Sequence, residues 1–140
     1  MFILDTDSIT YDQRAHSLLS AKVTSTPRGQ LFTTSVTVEE QFKGRLAFIK
    51  KLRNSSSKAA QGHAALIQAI LYFSQWNILL LDERADAIFR QLQKQRIRIG
   101  SQDLRIAAVA LLHGFIVVTS NAGDFIQVPN LIVEDWTTSP

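Results

Sequence analysis

The chain has 140 residues, of which 46% are hydrophobic and 19% charged, and its formal net charge is +3 at pH 7. This composition is typical of one globular domain, which we expect to cover residues 1–140, and the absence of cysteine excludes disulfides, thiolate metal ligands and a cysteine nucleophile. No apolar run approaches the ~20 residues that a membrane-spanning helix needs, and the N-terminus lacks the basic region of a signal peptide, so we expect a cytoplasmic protein without membrane contact.

Short apolar segments alternate with longer segments of helical periodicity along the chain. In chain order we predict strand 2–4, helix 7–23, loop 24–30, strand 31–36, helix 38–53, a helix containing 60–71, strand 78–81, helix 84–95, helix 101–113, strand 115–119, a loop or short helical turn 120–127 and strand 131–133. Strands that are short, continuous and separated by helices predict a parallel sheet covered on both faces. The expected fold class is therefore α/β, a three-layer α/β/α sandwich with about five strands.

Two predicted helices each carry apolar residues three or four positions apart, which is the spacing of one buried face. These residues are Val38, Phe42, Leu46 and Ile49 in the first helix and Ala60, Ala64, Ile67 and Leu71 in the second. Another helix has signals at both of its ends, since Ser101 can cap its start and Gly114 can end it.

Positive charge is concentrated in two segments, of which the first contains no carboxylate and the second contains only one. Their basic residues are Arg45, Lys50, Lys51, Arg53 and Lys58, then Arg90, Lys94, Arg96, Arg98 and Arg105. Such clusters suit a polyanion such as RNA, and solvated helix faces give the same pattern.

Acidic residues follow the predicted strands at the edge where function collects in open α/β sheets. They are Asp5 and Asp7 after the first strand, Glu39 and Glu40 after the second, Asp124 after the fourth, and Asp103 near the start of the helix that leads into the fourth. Packing several carboxylates together is costly unless cations neutralise them. Oxygen ligands without a His or Cys set favour Mg²⁺ or Mn²⁺, which can activate a water molecule and stabilise charge on a phosphodiester.

Each acidic residue also has a structural explanation when it is taken alone. Asp5 can form a turn or cap a helix, and Thr37 with Glu40 can form a capping box. Asp103 can favour the dipole of its helix, and Asp124 can belong to a turn. The expected location of all of them at one edge of one sheet favours a functional site.

Four blocks of the sequence carry recognisable motifs. They are Leu-Asp-Thr-Asp at 4–7, Ser-Val-Thr-Val-Glu-Glu at 35–40 followed by Gly44, Ser-Gln-Asp-Leu-Arg-Ile-Ala-Ala at 101–108, and Thr-Ser-Asn-Ala-Gly-Asp-Phe at 119–125 with a strand that leads to Asp-Trp at 135–136. In this order and at these spacings, the blocks resemble those of PIN-domain ribonucleases, the VapC-type toxins of type II toxin–antitoxin pairs. The resemblance covers nearly the whole chain.

The resemblance implies a sheet ordered 3-2-1-4-5, one or two Mg²⁺ or Mn²⁺ ions and hydrolysis of RNA phosphodiester bonds by a metal-activated water. It assigns the catalytic and metal-binding roles to Asp5, Glu40, Asp103 and Asp124. It also implies a small antitoxin protein as partner and a homodimer.

Two positions depart from the family pattern. Asp7 stands where the family often has Asn, and Asn121 stands where many members have Asp. Asp124 is then the expected fourth acid, while Asp7, Thr119 and Asn121 are expected to support the site. These departures put a second metal site in doubt more than the first.

Three other functions compete with this interpretation. Residues 3–8 resemble the signature of haloacid-dehalogenase-like phosphatases with Asp5 as nucleophile, but no lysine follows Lys94 for the later part of that motif. A phospho-receiver domain would need a lysine at the last strand, and 131–133 has none. An inactive PIN-fold binding module is the third alternative, because Asn121 replaces an acid.

Overall fold

The sheet of this protein has five short parallel strands in the order β3-β2-β1-β4-β5. The computed structural model describes residues 1–55 and 57–139. The strands are β1 (Phe2–Leu4), β2 (Leu31–Thr34), β3 (Asn77–Leu79), β4 (Ile116–Val118) and β5 (Val133–Glu134). The predicted fold class and strand order are confirmed.

Helices cover both faces of the sheet. They are α1 (Thr6–Gln13), α2 (Ser17–Ser25), α3 (Ser35–Leu52), α4 (Ala59–Phe73), α5 (Glu83–Lys94), α6 (Ser101–His113) and α7 (Ala122–Phe125), with a 3₁₀ turn at Arg28–Gln30. Successive residues of β1 point to opposite faces: Ile3 packs with the apolar residues of α5 and α6, and Leu4 packs with those of α1, α2 and α4. The sheet is thus the middle layer of a three-layer sandwich. No helix in the described part of the chain is long and apolar enough to span a membrane.

The prediction of one helix over 7–23 is wrong, because the chain breaks between α1 and α2. Ala15 has a φ of +56°, a left-handed conformation that cannot continue a helix. His16 then starts the second helix, since its Nδ1 accepts a hydrogen bond from the Leu19 N–H at 3.3 Å.

Helix α3 begins earlier than the sequence suggested. Thr34 is its N-cap, and the Thr34 hydroxyl accepts a hydrogen bond from the Thr37 N–H at 3.2 Å. Thr37 therefore lies inside the first turn, and the capping box that it could have formed with Glu40 does not exist. Glu40 is left free for another role.

The start of α6 also differs from the prediction, whereas its end agrees with it. Gly100 occupies the N-cap position without a side-chain bond, and Ser101 is already the first helical residue. Gly114 ends the helix with a φ of +68°, which a residue without Cβ adopts at little cost.

The expected burial of both apolar helix faces is correct only in part. Val38 and Phe42 of α3 pack against the core, but Leu46 is 56% exposed. All four residues of the predicted α4 face are exposed, with Ile67 at 53% and Leu71 at 62%. Helix α4 contains no charged residue, so no polar face indicates which of its sides should point outward.

Helix α4 packs on the rest of the protein with a side other than the predicted one. Gly62 lies against Ile49 of α3, and a Cβ at Gly62 would meet the Ile49 Cα at 3.1 Å. Ala69 and Phe73 face the interior and are 3% and 4% exposed. The small glycine therefore permits a close α3–α4 contact, while the other side of α4 stays at the surface.

Candidate active site

Asp5 lies at the carboxyl end of the central strand, where the order of the strands reverses between β1 and β4. Its N–H donates to the Val118 carbonyl at 3.1 Å, and its Oδ1 accepts from the Ser8 N–H at 2.8 Å. The Ser8 hydroxyl also donates to the Val118 carbonyl at 2.9 Å. Asp5 is thus the N-cap of α1, and it is a buried carboxylate at the expected edge, with 2% exposure.

The environment of Asp5 disfavours its negative charge. Burial raises the pKa of Asp5 to about 6. Hydrogen bonds from the Thr119 side chain and from Ser8 act against this rise in pKa, and the charge of Asp7 adds to it. A nearby cation would therefore stabilise the ionised form.

Glu40 is oriented by α1 across the α1–α3 contact. The Thr6 hydroxyl donates to Glu40 Oε1 at 2.8 Å and lies 3.0 Å from the Thr37 hydroxyl. Sequence reasoning assigned no role to Thr6 and gave Thr37 only a possible capping role. The only signal was the Leu-Asp-Thr-Asp block itself, because a hydrogen bond between residues 6 and 40 has no signature in local spacing.

Asp103 connects the acidic residues electrostatically. It is half-buried in the first turn of α6, and burial raises its pKa to about 6. The negative charges of Glu40, Asp7 and Asp124 raise the pKa of Asp103 further, in that order of importance. The charges of three acidic residues from different elements thus act on Asp103.

The segment after β4 links the fourth acid to the first. The buried Thr119 hydroxyl accepts from the Asn121 N–H at 2.9 Å, and the Thr119 side chain lowers the pKa of Asp5. Asn121 Nδ2 donates to Asp124 Oδ2 at 2.8 Å. Asn121 therefore brings no charge of its own to the site. Its amide instead holds the carboxylate of Asp124 by a hydrogen bond.

The chemistry of these side chains fits a hard divalent cation. The donors are carboxylate oxygens, with amide and hydroxyl oxygens beside them. The raised pKa values of Asp5 and Asp103 mean that their ionised forms are disfavoured, and a bound cation would stabilise those forms. Within residues 1–55 and 57–139, however, no three His, Asp or Glu side chains are already grouped closely enough to hold an ion. Binding would have to draw the acids closer together.

Comparison with known proteins identifies the family of this chain. A family model described as PIN domain matches residues 2–131. The chain belongs to the PIN domain family. Ribonuclease VapC2 of Haemophilus influenzae is 28% identical to this PIN domain over 139 residues, which cover 96% of the chain and 97% of the relative. Ribonuclease VapC1 of Rickettsia felis is 46% identical over only 46 residues, so the chain matches 34% of the length of that relative.

Three solved structures illustrate the shared fold. VapBC-1 from nontypeable Haemophilus influenzae has a TM-score of 0.74 and 25% identity to this PIN domain, with 98% of each chain covered. FitAcB from Neisseria gonorrhoeae has a TM-score of 0.74 and 26% identity, with 96% of this chain and 97% of that chain covered. A VapBC complex from Salmonella typhimurium, 22% identical with a TM-score of 0.75, shows the same fold.

Proposed function

We propose that this PIN domain is a Mg²⁺- or Mn²⁺-dependent endoribonuclease and the toxin of a toxin–antitoxin pair. The observation that carries the proposal is the combination of a buried Asp5 at the strand-order reversal with an Asp103 whose pKa is raised by the charges of Glu40, Asp7 and Asp124. The full-length relative VapC2 of Haemophilus influenzae is a ribonuclease by name, which supports the same activity.

The residues proposed to hold the cation, directly or through water, are Asp5, Glu40, Asp103 and Asp124. A divalent cation bound there would supply Lewis-acid chemistry for hydrolysis of a phosphodiester. The chain itself orients the carboxylates: the cap of α1 fixes Asp5, Thr6 holds Glu40, and Asn121 holds Asp124. Because the floor of the site is buried and Asp7 is exposed, RNA would approach from the side of Asp7.

Positive charge on α3 and on residues 94–105 would attract the RNA backbone. In the described part of the chain, both ion pairs lie on or beside α5, between Arg84 and Asp82 and between Arg90 and Asp86. The lysines and arginines of α3 have no carboxylate partner there. Unpaired cations of this kind bind phosphates through release of counterions, so binding should weaken as salt increases.

The test is cleavage of structured RNAs by the purified protein with Mg²⁺, with Mn²⁺ and with a chelator. We expect cleavage only with a divalent cation, and none from Asp5→Asn. Cleavage that persists in the chelator would contradict the metal dependence. A folded protein that binds Mn²⁺ and RNA but never cleaves would instead be a PIN-fold binding module without activity.

We propose that the antitoxin covers the exposed side of α4. Ile67, Ile70 and Leu71 are 53%, 43% and 62% exposed on a helix without charged residues, and large exposed apolar patches mark interfaces. Beside them a groove of about 690 Å³ runs between α1, α3 and α4, and Arg14 and Arg45 are among its lining residues. An antitoxin segment with apolar and acidic side chains would match this surface. The similarity to VapBC complexes supports such a partner.

We propose further that the toxin forms a homodimer through the edge strand β3. This strand ends the sheet; Ile78 within it is 39% exposed, and Leu80, the second residue after Ile78 and just beyond the strand, is 65% exposed. An exposed apolar edge strand favours pairing with a second copy. Sedimentation of the wild type and of Leu80→Lys tests this, and a monomeric wild type would contradict it.

A further inference from the structure

Gln102 joins the two helices that carry Glu40 and Asp103. Its Nε2 donates to Glu39 Oε1 at 2.9 Å, across 63 residues of sequence. Glu39 precedes Glu40 in α3, and Gln102 precedes Asp103 in α6. The hydrogen bond therefore connects the neighbours of two proposed metal ligands.

The Gln102 side chain is also held from its other end. Arg105 Nη1 donates to Gln102 Oε1 at 3.0 Å. The Arg105 guanidinium in turn lies over the ring of the buried Phe89 of α5, with 4.3 Å to the ring centre. Both polar atoms of the Gln102 amide are thus engaged, and the chain of contacts extends from α3 through α6 to α5.

Asp103 needs such support more than Asp5 does. Asp5 is fixed by the central strand and by its cap, whereas Asp103 lies in the first turn of a helix whose N-cap, Gly100, makes no side-chain bond. Glu40 and Asp103 carry like charges that repel each other. Without a contact beside them, the first turn of α6 would tend to separate from the second turn of α3.

We propose that Gln102 is a positioning residue, which holds Asp103 near Glu40 through its hydrogen bond to Glu39 and so preorganises the site for a divalent cation. This inference rests on the proposed function. Preorganisation means that less of the binding free energy is spent in bringing the ligands together. Loss of the bond should therefore weaken metal binding without unfolding the protein.

The experiment is calorimetric titration of the full chain with Mn²⁺ in the absence of RNA. Gln102→Met keeps the length of the side chain and removes both hydrogen bonds. We expect its Kd for Mn²⁺ to rise about fivefold, with an unchanged melting temperature in chelator. Gln93→Met, at an exposed position of α5, is the matched control and should leave the Kd unchanged.

A second set of variants separates the hydrogen bond from the charge of Glu39. Glu39→Gln removes the charge but can still accept the bond, whereas Glu39→Met removes both. We expect Glu39→Met to bind Mn²⁺ more weakly than Glu39→Gln, and this difference to vanish when Gln102→Met is also present. Equal affinity of the two Glu39 variants, or an unchanged Kd in Gln102→Met, would overturn the positioning role.

Failure of the proposed function gives a different result. If the wild type bound no Mn²⁺, or if Asp5→Asn bound it equally well, the metal site itself would be wrong and the positioning role with it. If the wild type binds Mn²⁺ and Asp5→Asn does not, an unchanged Kd in Gln102→Met would overturn only the role of Gln102.

Discussion

Asp5 combines a structural and an electrostatic role, and a single substitution separates them. Asparagine is as good an N-cap as aspartate, so Asp5→Asn should keep the bond to the Ser8 N–H while it removes the buried charge. We expect a folded protein without RNA cleavage. At pH 7.5 in chelator its free energy of unfolding should exceed that of the wild type by up to about 3 kcal/mol, which corresponds to the rise in pKa from 3.8 to about 6. Urea denaturation measures this difference.

The difference in unfolding free energy between Asp5→Asn and the wild type should depend on pH, because folding raises the pKa of Asp5. The folded state of the wild type binds the proton of Asp5 more tightly than the unfolded state does. The wild type therefore loses stability as the pH rises from about 4 to about 6, and Asp103 acts in the same direction. The advantage of Asp5→Asn should be complete above pH 6 and disappear below pH 4. A sharp loss of stability with activity retained would mean that Asp5 is only structural.

A substitution at Glu40 can likewise separate its hydrogen bond to Thr6 from the effect of its charge. Since no capping box exists, its observed partner is the Thr6 hydroxyl, which donates to Glu40 Oε1. The amide oxygen of Glu40→Gln can accept the same bond, so we expect a normal melting temperature and a loss of RNA cleavage of at least about 100-fold, on the order of other single catalytic groups. Cleavage at the wild-type rate would show that the charge of Glu40 has no part in the reaction.

Asp124 and Asn121 must be tested as a pair, because they share a hydrogen bond. Asp124→Asn should raise the Mn²⁺ concentration needed for cleavage. Adding Asn121→Asp to that variant exchanges the amide and the carboxylate, which keeps the bond and the net charge, and should recover part of the loss. Metal-titration kinetics on the wild type, both single variants and the double variant measure the coupling. An unchanged metal dependence in Asp124→Asn would leave Asp124 as a turn residue and make Asp7 the next candidate.

At the scale of elements, hydrophobic periodicity predicted the type of nearly every helix and strand, and its errors lie at ends and faces. The break near Ala15 has no sequence signal, because alanine favours helices. In the folded chain Ala15 nevertheless adopts a left-handed φ of +56°. Thr34 is the N-cap of α3. Thr37 could also cap a helix, and the local sequence does not show which of the two threonines does so. The exposed side of α4 could not be predicted, because that helix is uncharged all round.

That exposed side of α4 carries a prediction of its own. Ile67→Glu places a charge on the proposed antitoxin surface, where burial without a partner is costly. We expect the variant to fold and cleave RNA but to lose co-purification with the proposed antitoxin. Gln93→Glu, at an exposed position of α5, adds the same single negative charge elsewhere and is the control. Retained antitoxin binding by Ile67→Glu would place the interface elsewhere.

The site as a whole shows what a sequence can and cannot specify. The sequence could propose Asp5, Glu40 and Asp124 because each lies just after a strand of a parallel sheet, and Asp103 because it lies at the start of the helix before the fourth strand. The charges of Glu40 and Asp124 act on Asp103, as a common location would require. Their supporting contacts were not identifiable. Thr6 with Glu40 and Gln102 with Glu39 are 34 and 63 residues apart, and only the packing of α1, α3 and α6 creates them.

The stability of the whole molecule should depend on the cation. A ligand that binds only the folded state at 100 times its Kd adds about 2.7 kcal/mol, or roughly 8 °C in Tm for a chain of this size. We expect Mn²⁺ to raise the Tm of the wild type at pH 7.5, and to do so less at pH 5, where protons compete for Asp5 and Asp103 because their pKa is about 6. Asp5→Asn should show almost no rise, and sodium chloride of equal ionic strength controls for screening. An equal rise in both proteins would mean that Mn²⁺ acts at another place.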